Sequence, residues 1–422
     1  MMRKKIDRLI PWLLYATLGF PCLASASPAE PVEAADDSVW TRGQLTGEWF
    51  GARPALAEHG LTFNLFYTAI DQGTIFGTGD NDFEFGDRFD ALIDLDFGKL
   101  GLWKGGSLHS HLEYSSGNAP AWHGGALLPV NTAMALPLGG SQTLVASSLY
   151  FKQRFSDSAS LMVGKFNVVD FLASDPFYGG WGVVRFMNVA FVAPLSGLLP
   201  PTIMGGILNY RTDPIAWTLM VYDPNDQTTN YSFDGLFSDG VNVSLAGTWD
   251  GEWAGRPSSV NVNGIYSTKE KADLSDFLLP PDLQTKSEDG SWFLSIKLTH
   301  LLLESAAASG KGLGLYVKAG LSDGNPDPIQ SFVTGGLAGH GMVTGRPLDV
   351  FGIGYFYYNF SDDLQSATAP VTNFDDEQGA EVFYNLAGTP WLHVSADLQW
   401  IDPASGDSDD FWLGGLRIRV VF

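Results

Sequence analysis

The chain has 422 residues and a formal net charge of −23, and 45% of its residues are hydrophobic and 13% aromatic. Such acidity disfavours binding to nucleic acid or to anionic lipid through a basic patch, and the apolar content is too high for a disordered acidic chain. Glycine contributes 49 residues, and its abundance beside aromatic and β-branched residues favours an all-β protein.

The first 26 residues have the pattern of a secretory signal peptide. A basic start at 3–5 precedes an apolar stretch at 9–23, and residues 24–26 read Ala-Ser-Ala, a small-residue cleavage site. Cys22 is the only cysteine and lies inside this segment. We therefore expect an exported chain without disulfides or thiol chemistry.

Residues 27–60 are expected to form an acidic lead-in followed by one short helix. The helix is predicted within 40–60, with Thr46 as its N-cap and Gly60 closing it. Pro54 would kink or split this helix. The segment is far too small for the plug domain of an active transporter.

From residue 61 onward, apolar and polar residues alternate with a period of two. Between 89 and 97, for example, Phe, Ala, Ile and Leu alternate with aspartates. We count sixteen such segments of about ten residues, for example 61–70 and 335–343, and this pattern is typical of an outer-membrane β-barrel. The most apolar remaining stretch, 186–208, is interrupted by three prolines and does not read as a membrane-spanning helix.

The connections between these segments alternate between short turns and long loops, as periplasmic turns and extracellular loops do. We therefore predict a transmembrane antiparallel β-barrel of about sixteen strands over 61–422, preceded by a periplasmic lead-in and helix at 27–60. The last strand is expected to pair with the first, with Leu416, Ile418 and Phe422 facing lipid and Arg417 facing the lumen. A barrel of this size leaves an aqueous channel.

Several segments resemble the carbohydrate-selective porin family, the OprB-like outer-membrane porins. They include "LTGEWFGARPALAEHGLTFNLFYT" at 45–68, "GMVTGRPLDVFGIGYFY" at 341–357 and "TPWLHVSADLQW" at 389–400. The similarity covers nearly all of the exported chain in the same order. The resemblance implies a porin of the Gram-negative outer membrane that passes small sugars, glucose-like monosaccharides above all, by passive diffusion.

Candidate pore residues are those that strand parity turns toward the lumen, together with polar and aromatic residues of a long loop. Hydroxyl groups of a sugar are bound by planar hydrogen-bonding groups, sugar rings stack on aromatic rings, and opposed charges orient dipolar solutes. The loops 115–143 and 169–203 are long and apolar enough to fold inward and narrow the lumen. The candidates are Asp94, His111, Glu113, Lys152, Arg154, Lys165, Lys297, Lys318, Asp397 and Arg417 on strands, and Tyr178, Trp181 and Arg185 in the loop 169–203.

Other interpretations remain beside this one. A general or ion-selective porin would share the fold, and lumen charges could simply pair across strands. His109, His111 and Glu113 share a strand face, but without a fourth ligand they predict polar lumen residues and no metal site. No catalytic motif, cofactor motif or long adhesin-like segment is visible, so we expect neither enzyme activity nor a cofactor. Monomer and homotrimer are both compatible with the sequence.

Overall fold

Sixteen antiparallel strands close into one barrel within the described residues of the computed structural model, which are 38–78, 82–137, 142–280, 282–305 and 308–422. The predicted signal peptide lies outside them. In chain order the strands are β1 Leu61–Gly77, β2 Phe83–Asp96, β3 Gly106–Gly117, β4 Val145–Arg154, β5 Ala159–Asn167, β6 Thr202–Thr212, β7 Ile215–Tyr222, β8 Asn242–Trp253, β9 Arg256–Ala272, β10 Ser287–Ser305, β11 Ala308–Ser322, β12 Ile329–His340, β13 Val350–Phe360, β14 Glu377–Thr389, β15 Leu392–Asp402 and β16 Phe411–Val421.

Helices are few and short. They are α1 Ala52–Glu58, α2 Thr132–Ala135, α3 Val189–Val192 and α4 Asp362–Thr368, with 3-10 turns at Trp49–Gly51, Val168–Phe171 and Leu274–Asp276. Among the described residues, no helix has the length and apolar character to cross a membrane.

The closing strand follows the predicted parity. β16 pairs with β1, with Val421 opposite Phe66, so the predicted closure is confirmed. Leu416 and Ile418 are 54% and 46% exposed on the outer surface, whereas Arg417 and Arg419 are buried inside. Closure pairs every strand edge, which a lipid environment requires.

Several strands extend beyond the segments predicted for them. β1 continues to Gly77 where the alternation predicted an end at 70, and β12 spans Ile329–His340 where 335–343 was predicted. The predicted end of β12 is wrong because Gly341 turns the chain and an Arg346–Asp349 ion pair closes the turn. The strand also starts earlier than predicted. Its backbone pairing with β13 begins at Ile329, opposite Phe360, before the regular alternation of apolar residues sets in.

The N-terminal segment differs in detail from the prediction. The helix α1 begins after Gly51, which has a positive φ and occupies the N-cap without a side-chain cap, so the prediction of Thr46 as N-cap is wrong. Pro54 lies in the first turn, where its missing N–H breaks no intrahelical bond, so it neither kinks nor splits the helix. Gly60, with φ of 93°, follows the helix end as expected.

This segment ties down the end of the chain. The Leu45 N–H donates to the Val421 carbonyl at 2.7 Å, and Arg53 Nη2 donates to the Phe422 carbonyl oxygen at 3.0 Å. The Phe422 N–H donates to Leu65 O of β1 at 2.9 Å. The seam between β1 and β16 is therefore held both by strand pairing and by the N-terminal segment.

Candidate functional site

The connection between β5 and β6, residues 168–201 and here called the inner loop, lies inside the barrel. Its Phe186 and Phe191 are fully buried. Phe186 packs against Phe383 of β14 with ring centroids 4.9 Å apart, and Phe191 against Phe356 of β13 at 5.5 Å. The inner loop thus crosses the lumen from the β5–β6 wall to the β13–β14 wall.

Glycines in the wall make room for the aromatic side chains of the inner loop. A Cβ on Gly352 would lie 3.0 Å from the Phe186 ring, and a Cβ on Gly354 would lie 2.5 Å from the Phe191 ring. Gly314 of β11 faces Phe177 in the same way. Such close approach requires glycine, so these positions specify how the loop docks.

Polar groups fix the middle of the inner loop. The Glu381 carboxylate of β14 accepts the N–H groups of Met187 and Asn188 at 2.5 and 2.9 Å. Asn188 caps α3 by accepting the Ala190 N–H, a role that suits asparagine. Arg417 Nη1 donates to the Gly182 carbonyl at 2.6 Å. The buried backbone of the loop therefore finds its partners on β14 and β16.

The extracellular end of the inner loop is held by a different wall. Asp327, between β11 and β12, accepts Ser196 Oγ at 2.8 Å and the Gly197 N–H at 3.1 Å. Burial raises the pKa of the Asp327 carboxyl above its ordinary value. The Leu198 carbonyl accepts Tyr222 OH at 3.0 Å. The loop is thus fastened at several points along its length.

A second loop, the described residues 118–137 and 142–144, packs against the inner loop. The Thr132 N–H donates to Met187 O at 2.8 Å, and the Val189 N–H donates to Pro129 O at 3.0 Å. Glu377 of β14 accepts the Leu127 N–H at 2.6 Å. The two loops are therefore joined to each other and to the barrel wall by hydrogen bonds.

Removing the Glu381 carboxylate should loosen the inner loop. In Glu381→Ala the N–H groups of Met187 and Asn188 lose their acceptor, and each buried donor left unpaired costs about 1–3 kcal/mol. We expect a folded barrel whose single-channel current in planar bilayers is larger and noisier. Glu381→Gln, which keeps one carbonyl oxygen, should be intermediate. Quiet currents of unchanged size in both variants would show that Glu381 does not hold the loop.

Charged side chains of β2 and β3 form a buried cluster beneath the loops. Arg88 Nε lies 2.8 Å from Asp90 Oδ1, and Arg88 also pairs with Glu113. His111 lies between Asp90 and Asp170, at 3.1 and 2.8 Å. The ligand atoms of Asp90, His111 and Glu113 lie close enough together for a metal ion. Arg88 already pairs with both carboxylates, which makes the cluster an ion-pair network that fixes the start of the inner loop.

A cavity separates the inner loop from the opposite wall, β7 to β11. It contains about 870 Å³ of space, including solvent at its openings. The strands contribute Thr218, Met220, Ser244, Ala246, Asn261, Asn263, Ile265, Ser295, Ile296, Lys297 and Lys318, and the inner loop contributes Val168, Phe171, Leu172, Tyr178, Pro194 and Leu199. One side is therefore rich in neutral hydrogen-bonding groups, and the other is apolar and aromatic.

The charges in this cavity are partly compensated. Lys297 Nζ lies 3.6 Å from Asp175 Oδ2. Lys318 Nζ lies 3.8 Å from the centre of the Tyr178 ring and donates to the Phe191 carbonyl. Burial, reinforced by the nearby Asp175 carboxylate, raises the pKa of the Tyr178 hydroxyl well above its ordinary value, so this hydroxyl stays neutral.

The thirteen residues selected from the sequence fall into separate groups. Tyr178, Lys297 and Lys318 line the cavity. Six others contact different partners. His111 and Glu113 belong to the ion-pair cluster, and Trp181 donates a hydrogen bond to Asp170. Asp397 and Arg417 lie 3.6 Å apart beneath the inner loop, and Arg185 donates to Pro176 O.

The remaining four are not part of the cavity lining. Asp94 contacts His109, and Lys165 donates to Thr228 O and Asn230 O. Lys152 and Arg154 lie at the end of β4 near the short turn to β5.

The sequence analysis missed the neutral wall and two charged residues. Asn261, Asn263 and Ser244 line the cavity, yet only charged strand residues were selected. Arg88 shares the inward parity of Asp90 and could have been found by that rule. Asp170 follows a strand without alternation to mark it, and only the fold brings it to His111.

Comparison with known proteins adds to this geometry. A family model described as carbohydrate-selective porin, OprB family, matches residues 80–422. Porin B of Pseudomonas aeruginosa is 23% identical over 457 residues, which cover 95% of this chain and 95% of that protein.

Solved structures share the fold. The high-pH structure of Pseudomonas putida OprB matches with a TM-score of 0.78 at 21% identity, over 92% of this chain and 100% of that chain. A Salmonella typhi OmpF complex with daunomycin matches with a TM-score of 0.54 at 11% identity, over 87% of this chain and 99% of that chain. The closed barrel is therefore that of outer-membrane porins.

Proposed function

The chain belongs to the OprB family of carbohydrate-selective porins, and we propose that it passes glucose-like monosaccharides by passive diffusion across the Gram-negative outer membrane. The proposed route runs between the inner loop and the wall of β7 to β11. In this proposal the inner loop narrows the barrel to a passage of fixed size.

The observation that carries this proposal is the two-sided lining of the cavity. Asn261 and Asn263 stand on one side, while Phe171 and Leu199 stand on the other. A pyranose sugar presents hydroxyl groups at its edge and C–H groups on its faces. Amide groups can exchange hydrogen bonds with the hydroxyls as the sugar moves, and apolar side chains can contact the ring faces.

A second candidate function rests on the two lysines. Both lysines line the cavity, and Lys297 Nζ lies 3.6 Å from Asp175 Oδ2, so cationic side chains stand along the proposed passage. A porin with a mild preference for anions and none for sugars would use the same passage. The two functions differ in whether neutral hexoses pass faster than other neutral solutes of similar size.

Liposome swelling separates these functions. We expect glucose and other hexoses to enter the liposomes several-fold faster than a disaccharide. We also expect the ratio of the glucose rate to the rate of a neutral amino acid to be higher than for a general porin. Asn263→Leu should slow glucose more than it slows the amino acid, because it removes only hydrogen-bonding groups. Asn263→Gln is the matched control and should retain the preference. Equal slowing of both solutes would favour the general porin.

A further inference from the structure

The short helical segment 49–58 lies on the outer surface of the barrel, not beneath its lumen. The Trp49 ring packs on Phe63 of β1 with centroids 5.0 Å apart, and Arg53 lies 4.8 Å above the same Phe63 ring. On β1 the even-numbered residues Thr68 and Ile70 are buried inside the barrel. Phe63 has the opposite parity and therefore faces the lipid.

Several large apolar side chains of this segment are left exposed by the described part of the chain. Phe50 is fully exposed, with a relative exposure of 113%, and Trp40 is 73% exposed. Trp49 and Leu56 are also exposed. Several large apolar side chains exposed side by side are seldom left in contact with water, and they mark a surface that a membrane or another protein covers.

The patch continues onto the neighbouring turn between β2 and β3. The Asp96 N–H donates to Gly60 O at 2.8 Å, and Lys99 Nζ donates to Ala57 O at 2.9 Å, so α1 and this turn are adjacent. Leu102 and Trp103 of the turn are exposed. The apolar patch thus runs along the rim of the barrel on the side of the short turns, and it is continuous with the lipid-facing surface.

The backbone directs these side chains outward. Trp49 and Phe50 have φ of 51° and 56°, a left-handed conformation that non-glycine residues rarely adopt. Such conformations persist where the surrounding structure enforces them. Here Arg53, held between the Trp49 and Phe63 rings and the Phe422 carbonyl, fixes the turn from one side. Phe50 then projects away from the protein.

We propose that residues 40–58 anchor the barrel in the periplasmic leaflet of the outer membrane, with Trp40, Trp49 and Phe50 inserted at the level of the lipid headgroups. Aromatic residues favour this interface because the ring is apolar and the surroundings are partly hydrated. The occupant is lipid because the patch is continuous with the surface that lipid already covers. Because Arg53 also binds Phe422, insertion of this segment holds the β1–β16 seam closed.

Site-directed spin labelling tests this proposal independently of the transport function. In a Cys22→Ser chain, which has no cysteine, Phe50→Cys is labelled with a nitroxide and reconstituted in phospholipid vesicles. We expect greater collision with oxygen, which dissolves in lipid, than with a water-soluble nickel chelate. Leu416→Cys on the barrel surface is the lipid reference, and Asp157→Cys, at an exposed position in the short turn between β4 and β5, is the aqueous reference. Trp40→Cys provides a second site if the label at 50 hinders folding.

The anchor is overturned if the labels at 50 and at 40 both collide with the nickel chelate as often as the label at 157 does. A label shielded from both reagents also overturns it, because such shielding indicates a protein contact. The anchor is supported if the label at 50 collides with oxygen and with the nickel chelate in the same proportion as the label at 416.

Discussion

Shortening the inner loop between Ala173 and Leu199 should raise the single-channel conductance severalfold and abolish any preference for glucose over a disaccharide. The physical reason is that the proposed route has this loop narrowing the lumen, and sixteen strands without it enclose a wide aqueous channel. Planar bilayers measure the conductance, and liposome swelling measures the sugar ranking. Heat-modifiable gel mobility checks that the shortened chain still forms the barrel.

A matched deletion distinguishes this effect from a general disturbance. Removing residues 232–236 shortens the extracellular connection between β7 and β8, which lies outside the cavity lining. That variant should conduct like the unmodified protein. If the inner-loop deletion left conductance and sugar ranking unchanged, the filter would lie in the second loop and near Glu113 and Lys152 instead.

Replacing a lipid-facing residue by arginine should be far more damaging than the same change one residue further along the strand. Val262, 45% exposed on the outside near the middle of β9, is followed by Asn263, which lines the cavity. Val262→Arg should cost about 2–4 kcal/mol of folding free energy near the bilayer midplane. Asn263→Arg should fold normally, narrow the passage and shift ion selectivity toward anions.

Urea titration in lipid vesicles measures the first effect, and reversal potentials in a salt gradient measure the second. Asn263 is a better lumen control than Asp397. Asp397 is buried beside Arg417 and accepts a hydrogen bond from Gln399, so an arginine there would disturb packing as well as charge. Similar damage from both changes on β9 would contradict the register of this strand.

The barrel could be predicted from the sequence because lipid and water impose opposite polarity on alternate residues of each strand. The family resemblance, the closed sixteen-stranded fold and the channel function without enzyme activity are confirmed. The outer-membrane location is confirmed as well. Alternation of polarity fails as a guide on the extracellular side of the membrane, where backbone pairing continues without the lipid constraint, and the end of β1 and the start of β12 are mispredicted there.

The interior of the barrel was predicted less fully because its contacts join distant parts of the chain. Gly354 reads as a strand residue until the fold brings Phe191 against it. The Arg53–Phe422 hydrogen bond spans 369 positions, and no local pattern predicts it. Neutral residues such as Asn263 give no signal of their own, since asparagine is equally common in turns.

The most direct test of the proposed route is thiol accessibility in a single channel. In the Cys22→Ser chain, Asn263→Cys places a thiol in the cavity, and Ser395→Cys places one on β15 outside the cavity lining, where Ser395 is buried and accepts a hydrogen bond from Asn385. A bulky thiol-reactive cation is added during recording in a planar bilayer. The proposed route predicts a stepwise fall in conductance for the cysteine at 263 and none for the cysteine at 395. A fall at 395 with no response at 263 would contradict it, because solutes would then pass on the other side of the inner loop.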